Sequence, residues 1–409
     1  MKRKIFGISI LIVLGIIHPD NANSQQNENT NWNQFRGSER NGLALNASIK
    51  DTLFEGSYQM QWKKDIGSAF SEITVSGNKI YTMLSEKIDS VSGFEFVAAF
   101  DAKTGNEIWR SQVDSIFIDV DGWGNGSRST PAVDEEFIYS FSALGKLTAT
   151  TIKDGKNIWQ VDFVKEFGST RPRWGYSTSP LLVDDILIME VGGTDSHAFA
   201  AFNKKTGEVK WTKANGNAHY SSPVLANIEG QNQIIFANGG FIYSYNSKGD
   251  TLWTYKTPVR SAMSMPVVIE QNKIFVSTAA AGFIILEIND NKPKEFLRGS
   301  TMKADYSSCV YYKGNIYGFH IAALQCISAE TGEKKWTKRG FGKGSLIIVD
   351  NKLMVLSDTG KLIQIKATSD SYTEQGSFQA IKGKSWTAPS FANGKLYVRN
   401  LTEMACYVL

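Results

Sequence analysis

The chain alternates between short apolar segments and polar turns that contain Gly. One segment recurs, combining the end of a strand, a turn with Thr-Gly and a strand that carries Trp. Its clearest copies are residues 100–109, 202–211 and 327–336, and residues 153–159 and 247–253 are weaker copies. Because Gly stands where a tight hairpin needs a positive φ, each copy predicts a β-hairpin.

A second pattern precedes these hairpins, in which a short apolar strand follows a small or apolar residue and Pro. The pairs are Thr130-Pro131, Ser179-Pro180, Ser222-Pro223, Met265-Pro266 and Ala388-Pro389. In the copies at 131–139, 266–276 and 389–398 a polar turn and an aromatic strand follow. Together the two patterns give units of four short strands.

The aromatic residue of the last strand marks the period of the repeat. It is found at Trp62, Trp109, Trp159, Trp211, Trp253, Phe296, Trp336 and Phe378, at intervals of 40 to 52 residues. Propeller blades of four strands have periods of about 40–45 residues. We therefore expect these eight side chains to close the blades by packing between neighbours, where a large aromatic group buries much apolar surface.

The two ends of the repeat are complementary. The first copy, residues 58–66, has no blade before it, and the last unit, residues 388–409, stops after its third strand. Pairing these ends would close the ring and remove exposed strand edges. The predicted fold is an all-β, eight-bladed propeller of four-stranded antiparallel blades over residues 58–409, with blade one at 71–110 and an N-terminal arm at 25–57.

The N-terminus has the pattern of an export signal. Lys2, Arg3 and Lys4 precede an apolar stretch of thirteen residues, 5–17, too short to span a bilayer as a lone helix. We expect a signal peptide at 1–24, cleaved after Ser24, the alternative being an uncleaved membrane anchor. Without a lipoprotein Cys near the cleavage point, the expected location is the periplasm or the medium, with no transmembrane segment in the mature chain.

Composition excludes several classes of protein. With 44 basic and 40 acidic residues, a formal charge of +4 and no runs of like charge, the chain lacks the basic stripe of a nucleic-acid-binding protein. Three cysteines, Cys309, Cys326 and Cys406, are too few for a disulfide framework. Either Cys309 pairs with Cys326, or all three are buried thiols, which is the interpretation we favour.

The Thr-Gly-x-x-x-Trp repeat resembles the β-propeller repeat of the pyrroloquinoline quinone (PQQ) family over essentially the whole mature chain. Residues 32–37, Trp-Asn-Gln-Phe-Arg-Gly, are similar to the opening of many exported bacterial members. In size and blade number the chain also resembles the propeller subunits of the outer-membrane barrel assembly machinery, although it lacks their lipoprotein Cys.

This resemblance implies that the loops between one blade's outer strand and the next blade's inner strand share one face of the ring. The candidate ligand-binding residues there are basic or aromatic for the most part: Arg128, Arg171, Arg173, Trp174, Tyr176, His219, Tyr220, Met263, Tyr306, Lys343 and Trp386. The segment 171–176 is the sharpest local signal, because two guanidinium groups can hold a carboxylate or phosphate and an aromatic face can stack on a ligand. The alternative is that its aromatics pack at the channel mouth and its arginines pair with nearby acids.

Catalytic motifs are weaker. His197, His219 and His320 lack the spacing of a metal pair, and the Gly-rich segments at 192–194 and 238–240 precede no helical pattern that could bind phosphate. Asp184-Asp185 falls in a turn between strands.

Two functions remain. The favoured one is an exported, monomeric, non-catalytic binding module without a cofactor, which holds a protein, a peptide or a small anion over its channel face. The alternative is a periplasmic dehydrogenase of alcohols or sugars that uses PQQ and Ca²⁺, as the resemblance implies. The chain lacks the vicinal Cys pair of the larger alcohol-oxidising members and an assignable set of Ca²⁺ ligands.

Overall fold

A computed structural model describes residues 31–54, 56–258 and 263–409. Its strands form eight sheets, one for each blade of a propeller, which confirms the predicted fold. The predicted signal peptide, 1–24, and the first residues of the arm lie outside the described residues.

The first half of the ring follows two early strands, β1 (Leu43–Ala44) and β2 (Gln59–Asp65). Each blade is a four-stranded antiparallel sheet in chain order from the channel outward. Blade one consists of β3 (Thr74–Ser76), β4 (Lys79–Lys87), β5 (Gly93–Asp101) and β6 (Glu107–Ser115), and blade two of β7 (Ala132–Val133), β8 (Phe137–Phe141), β9 (Lys146–Thr151) and β10 (Asn157–Asp162). Blade three consists of β11 (Leu181–Val183), β12 (Ile186–Glu190), β13 (Phe199–Asn203) and β14 (Val209–Lys213). Blade four consists of β15 (Val224–Ile228), β16 (Gln231–Asn238), β17 (Phe241–Tyr245) and β18 (Thr251–Lys256). A single turn of helix, α1 (Phe163–Phe167), follows blade two.

The second half repeats this arrangement. Blade five consists of β19 (Val267–Ile269), β20 (Lys273–Thr278), β21 (Gly282–Asn289) and β22 (Lys292–Gly299), and blade six of β23 (Val310–Tyr312), β24 (Asn315–His320), β25 (Ala323–Ser328) and β26 (Lys334–Lys338). Blade seven consists of β27 (Ser345–Val349), β28 (Lys352–Leu356), β29 (Lys361–Lys366) and β30 (Glu374–Gln379). Blade eight contains β31 (Ser390–Ala392), β32 (Lys395–Arg399) and β33 (Glu403–Val408).

Blade eight is completed from the other end of the chain. Its outer strand is β2, which pairs antiparallel with β33 from Gln59 opposite Val408 to Asp65 opposite Glu403. The predicted closure of the ring is therefore confirmed.

A β-bulge interrupts the outer strand of every blade at the same place. The ladder skips one residue, for example Ile158 in blade two, and the next residue, Trp159, turns toward the following blade. The residues directly after the bulge are Trp62, Trp109, Trp159, Trp211, Trp253, Leu297, Trp336 and Gly376. A bulge bends the strand and re-aims its side chains, so this irregularity places the blade-closing residue.

Four closing tryptophans, Trp62, Trp109, Trp159 and Trp211, pack on the Gly of the next blade's turn. A Cβ on Gly105 would lie 2.6 Å from the ring of Trp62, and the indole Nε1 of Trp62 donates to the carbonyl oxygen of Ala102 at 3.2 Å. Gly155 meets Trp109 in the same way. The Gly of the repeat therefore provides both a positive φ and room for the neighbouring indole.

Two predicted closing residues differ from this rule. Phe296 is the skipped residue of the bulge in β22, so it faces solvent beneath the ammonium group of Lys273, whereas Leu297 and Phe283 meet Gly332 of blade six. A one-residue shift moves a strand side chain to the opposite face.

In blade seven the equivalent position is Gly376, and the carbonyl of Leu53 lies where a side chain would project. Phe378, two residues later, stacks on Tyr58 with ring centroids 3.6 Å apart. Phe378 thus packs beside the boundary of blades seven and eight, but it does not occupy the closing position.

The N-terminal arm crosses the lower end of the channel, which we define as the end with the turns from first to second strand of each blade. Trp32 forms a bridge with Val75 of blade one, and the backbone of Asn33 accepts a hydrogen bond from Val133 of blade two. β1 then adds a parallel fifth strand to the inner edge of blade seven, pairing with β27. Farther on, Leu53 pairs with the outer strand of the same blade through Gly376.

All three cysteines are free and buried. Burial raises the pKa of the Cys309, Cys326 and Cys406 thiols to about 12, so they remain protonated at neutral pH. This confirms the interpretation as buried thiols over a Cys309–Cys326 disulfide.

Candidate functional site

Hydrogen bonds between neighbouring blades fix the upper ends of the inner strands. The backbone N–H of Glu72 donates to Thr130 Oγ1 at 2.9 Å, that of Thr130 to Ser179 Oγ at 3.0 Å, and that of Ser179 to Ser222 Oγ at 2.9 Å. The N–H of Met265 donates to Ser308 Oγ in the same way. The blades are therefore in a common register around the channel.

Two residues before each of these positions, one side chain per blade faces the channel. Alternate residues of an extended segment point the same way, so the common register makes these eight positions equivalent. They are Phe70, Arg128, Ser177, Tyr220, Met263, Tyr306, Lys343 and Trp386, and they line one cavity of about 380 Å³. Trp123, Trp174 and Asp305 complete its upper rim. We call this space the channel cavity.

The N-terminal arm forms the floor of the channel cavity with Phe35 and Arg36, next to Glu72. The Arg36 guanidinium donates to the carbonyl oxygens of Cys309 at 3.3 Å and Leu346 at 3.4 Å, while its backbone N–H donates to Glu72 Oε2 at 2.9 Å. Burial lowers the pKa of Arg36 and raises that of Glu72 to about 7, and the attraction between the two opposes both shifts. The channel is thus closed from below.

Aromatic rings form one wall of the cavity. Trp386 lies at the centre, with its ring centroid 5.7 Å from Phe70, 5.5 Å from Trp123 and 5.2 Å from Tyr306. The ammonium group of Lys384 lies 4.8 Å from the Trp386 centroid. Such a wall offers flat apolar surface with a cation at its edge.

Basic side chains interrupt this wall. The Arg128 guanidinium lies 5.3 Å from the Phe70 centroid and 4.6 Å from that of Phe117, and it donates to the carbonyl oxygen of Gly124 at 2.8 Å. Burial lowers the pKa of Arg128 to about 10, which leaves it charged at neutral pH. Lys343 Nζ lies 2.7 Å from Asp305 Oδ2, in a partly exposed ion pair.

Two buried carboxyl groups support the upper loops from behind the cavity. Glu95 accepts from the backbone N–H groups of Phe117 and Ala143, and burial raises its pKa to about 7. Glu190 accepts from Asn238 Nδ2 and from the N–H of His219, and burial raises its pKa to about 8.

The structure brings seven of the predicted ligand-binding residues together in the channel cavity. They are Arg128, Trp174, Tyr220, Met263, Tyr306, Lys343 and Trp386. The other four lie in the same loops but outside its lining. Arg171 lies over Phe117, Arg173 pairs with Asp121, Tyr176 is buried with its hydroxyl at Ser169, and the backbone of His219 binds Glu190.

Sequence reasoning missed Phe70, Ser177 and Trp123 in the wall and Phe35, Arg36 and Glu72 at the floor. Counting back two residues from Ser179, a small polar residue at the start of an inner strand, would have found Ser177. Tyr176 was chosen instead of Ser177, one residue out of register.

The PQQ_2 family model, described as outer membrane protein assembly factor BamB, matches residues 93–338, more than half of the chain. The chain belongs to this PQQ-like propeller family. None of the curated protein sequences matches it. The family and the fold are therefore established together, whereas the fold alone would not specify a function.

Solved structures similar to this PQQ-like propeller differ widely in what they do. BamB from Moraxella catarrhalis matches with a TM-score of 0.64 and 13% identity, over 86% of this chain and 98% of that one. Quinohemoprotein alcohol dehydrogenase from Comamonas testosteroni matches with a TM-score of 0.67 and 12% identity, over 93% and 80%. The computationally designed Ika8 protein matches with a TM-score of 0.59 and 10% identity, over 84% and 98%. At these identities the likeness extends to the fold only.

Two further findings concern membrane spans and metal sites among the described residues. In the described part of this PQQ-like propeller, no helix has the length and apolar character to cross a membrane. Among residues 31–54, 56–258 and 263–409, no three His, Cys, Asp or Glu side chains are grouped in a way that could hold a metal ion.

Proposed function

We propose that this PQQ-like propeller is an exported, non-catalytic binding module whose channel cavity holds part of a protein or peptide partner, or a small anionic ligand. The observation that carries the proposal is the channel cavity itself, closed below by the arm and lined by aromatic and basic side chains. A blind pocket can accept a side chain or chain end, and small-molecule sites have this concave, mostly apolar form with a few polar groups.

The acidic groups of the cavity are already engaged in structural contacts. Asp305 is ion-paired with Lys343, and Glu72 is held by the backbone of Arg36 and buried from solvent. The cations are more accessible: Lys343 and Lys384 are partly exposed on the upper face, and Arg128 borders the cavity. This favours a partner that brings a negative charge together with an apolar or aromatic group.

The alternative, a PQQ-dependent dehydrogenase with Ca²⁺, fits these residues poorly. The aromatic wall could lie against a flat quinone, but Ca²⁺ takes six to eight oxygen ligands from carboxylates, carbonyls and water. Among the described residues, the cavity lining supplies only Glu72 and Asp305 as carboxylates, and both are engaged as described. We therefore derive no redox step for this site.

A random peptide display library, selected on the purified chain, tests the binding function. We expect enriched peptides with an acidic residue near an aromatic one, and Trp386→Ala or Lys343→Ala should weaken their binding about tenfold or more, as for a central contact residue. The matched control is Lys205→Ala, which removes an exposed ion pair with Glu136 outside the cavity. Peptides that bind all variants equally would contradict the proposal.

Two further assays separate the other ligand classes. Thermal shift with a series of small carboxylates and phosphates tests the anion, and any stabilisation should disappear in Lys343→Ala. Incubation with PQQ and CaCl₂, followed by desalting, tests the quinone. Retained quinone absorbance with alcohol-dependent dye reduction would overturn the non-catalytic assignment.

A further inference from the structure

One loop on the upper face reaches across several blades. Residues 116–127, which we call the rim loop, connect β6 of blade one to the beginning of blade two. Its base is closed by a hydrogen bond from the N–H of Gly126 to the carbonyl of Phe117 at 2.9 Å. Because its two ends are close, the rim loop has the form of an Ω-loop that can move as a unit about its base.

The base of the rim loop is anchored in the core. Glu95, which is fully buried, accepts the N–H of Phe117, and Ser68 Oγ donates to the carbonyl of Asn125 at 3.0 Å. Inside the loop, the Asn125 side chain accepts the N–H of Asp119, and Asp119 accepts those of Trp123 and Gly124. The loop therefore keeps its own shape independently of what its tip contacts.

Side-chain contacts on two opposite sides hold the tip of the rim loop, in addition to the bond from Arg128 to the Gly124 carbonyl and the contact of Trp123 with Trp386. On the blade-three side, Asp121 accepts from Arg173 Nη2 at 2.7 Å and from Trp174 Nε1 at 2.8 Å. On the blade-eight side, Lys384 Nζ donates to the carbonyl oxygens of Gly122 at 3.3 Å and Trp123 at 2.9 Å. Arg173 is 70% exposed, so the first contact is open to solvent and salt.

The tip also contributes to the cavity wall. Trp123 lines the channel cavity and is 44% exposed, while Val120 beside it is 87% exposed. Gly122, Gly124 and Gly126 alternate with Trp123 and Asn125, and all three glycines have positive φ. Gly has the widest choice of backbone conformations, so the loop can move as a unit about its base at little steric cost.

We infer that the rim loop is a lid over the channel cavity, latched in the closed position by Asp121 with Arg173 and Trp174 on one side and by Lys384 on the other. Opening breaks these two latches, withdraws Trp123 from the wall and exposes Trp386, while the base stays fixed at Glu95. The inference rests on the proposed function only in what the lid admits, because the latches themselves are contacts within this chain.

Hydrogen–deuterium exchange of the full mature chain, followed by mass spectrometry of peptides covering 116–127, tests the lid directly. In Asp121→Ala we expect exchange of the tip amides to rise about fivefold, the change expected for loss of an exposed ion pair. Lys384→Met should act in the same direction, and the double variant should exceed either single one. The unfolding midpoint should be unchanged, since the base and the blades remain intact.

The control is Glu136→Ala, which removes the exposed ion pair with Lys205, 2.8 Å long like the Asp121 latch but outside the upper rim. It should leave exchange in 116–127 unchanged. Unchanged exchange in both latch variants would overturn the inference, as would a rise that extends equally through β5 and β6, because that would report unfolding of blade one rather than movement of a lid.

Stopped-flow binding of 8-anilinonaphthalene-1-sulfonate, an aromatic anion, tests the lid's effect on access. Its association should be faster in Asp121→Ala than in the parent, with the Lys205→Ala control at the parent rate. Equal association rates despite faster tip exchange would overturn the gating role. Failure of the peptide and anion assays with the lid result intact would instead reject the proposed binding function.

Discussion

The two ends of the central channel are closed by different means. From the lower end, the arm inserts Trp32, Arg36 and Arg40 into the channel, all of them at most 4% exposed, and the arginines donate to carbonyl oxygens next to the beginning of inner strands. At the upper end, Trp386 and Lys343 are partly exposed, and the rim loop is held by solvent-exposed contacts. The same eightfold ring thus has a permanent seal below and an adjustable mouth above.

This difference teaches how a repeat scaffold separates stability from function. The buried arginines of the arm donate to backbone carbonyl oxygens, which every blade provides. The upper positions differ between blades, from Phe70 through Ser177 to Lys343, on backbone positions that are equivalent. Variation there changes what can bind with little effect on how the ring holds together.

The largest contrast is expected between tryptophans at the two ends. Trp32→Ala removes a buried indole that packs on Gly37, so the free energy of unfolding should fall by about 3–5 kcal/mol. Trp386→Ala, at the partly exposed mouth, should cost about 1–2 kcal/mol. Urea denaturation measures both, and equal losses would show that the arm is not a structural seal.

Substitution of charged residues should also destabilise the fold more at the floor than at the upper mouth, with a smaller difference in unfolding free energy. Arg36→Met removes a buried guanidinium and leaves the carbonyl oxygens of Cys309 and Leu346 without that donor, so it should cost about 3 kcal/mol. Lys343→Met breaks the partly exposed pair with Asp305 and should cost less than about 1 kcal/mol. The measurement is again the denaturation midpoint and slope. If Arg36→Met is as mild as Lys343→Met, the floor is not built on that arginine.

Stability should also fall as pH rises, because buried carboxyl groups are protonated in the fold. The pKa of Glu190 is raised to about 8 in the fold from 4.5 in the unfolded chain, so between these values the native state holds a proton that the unfolded state has released. The free energy of unfolding should therefore drop by about 2 kcal/mol from about pH 5.5 to 7.5 on account of this residue alone.

Glu190→Gln should flatten that part of the profile, whereas the exposed control Glu330→Gln should not. Burial raises the pKa of Glu72 to about 7, so Glu72 at the floor of the cavity also makes stability fall as pH rises. Comparing the pH profiles of Glu72→Gln and Glu190→Gln therefore separates the contribution of the floor from that of the upper loops. A profile that rises with pH in the parent would contradict the protonated assignment.

The smallest contrast concerns two glycines with similar backbone angles. Gly105, φ 69°, lies against Trp62 in a lower turn, and Gly122, φ 77°, has open space around it in the rim loop. Gly105→Ala combines backbone strain with a clash and should cost about 2 kcal/mol, whereas Gly122→Ala should cost about 1 kcal/mol from strain alone. Thermal unfolding separates the two, and the reverse order would mean that the turns do not wedge the blades.

The sequence predicts the ring well because its signals are local. The Thr-Gly turn and the Trp after the bulge lie only a few residues apart, so the boundary of a blade can be located from a short stretch of sequence. The unpaired first and last strands of the repeat imply that the ring closes. Where Trp is replaced the prediction fails, as at Phe296, because a bulge changes which face a residue occupies and leaves no mark in composition.

The site is predicted less completely for a related reason. The residues of the upper loops are found by position, but Tyr176 and Ser177 are neighbours, and only the inter-blade hydrogen bonds decide which one faces the channel. Arg36 contacts residues 36 to 310 positions away in the chain. No local pattern can show that the arm enters the channel, since the contact depends on the whole ring.

The ladder between β2 and β33 makes synthesis of blade eight a condition for closing the ring. β2 leaves the ribosome early, and its partner, Glu403–Val408, follows only after all the blades between them. Until blade eight has been made, Trp62 lacks its neighbour Tyr397, and blades one and eight cannot join. A chain that stops before β33 therefore has most of its blades but no closed ring.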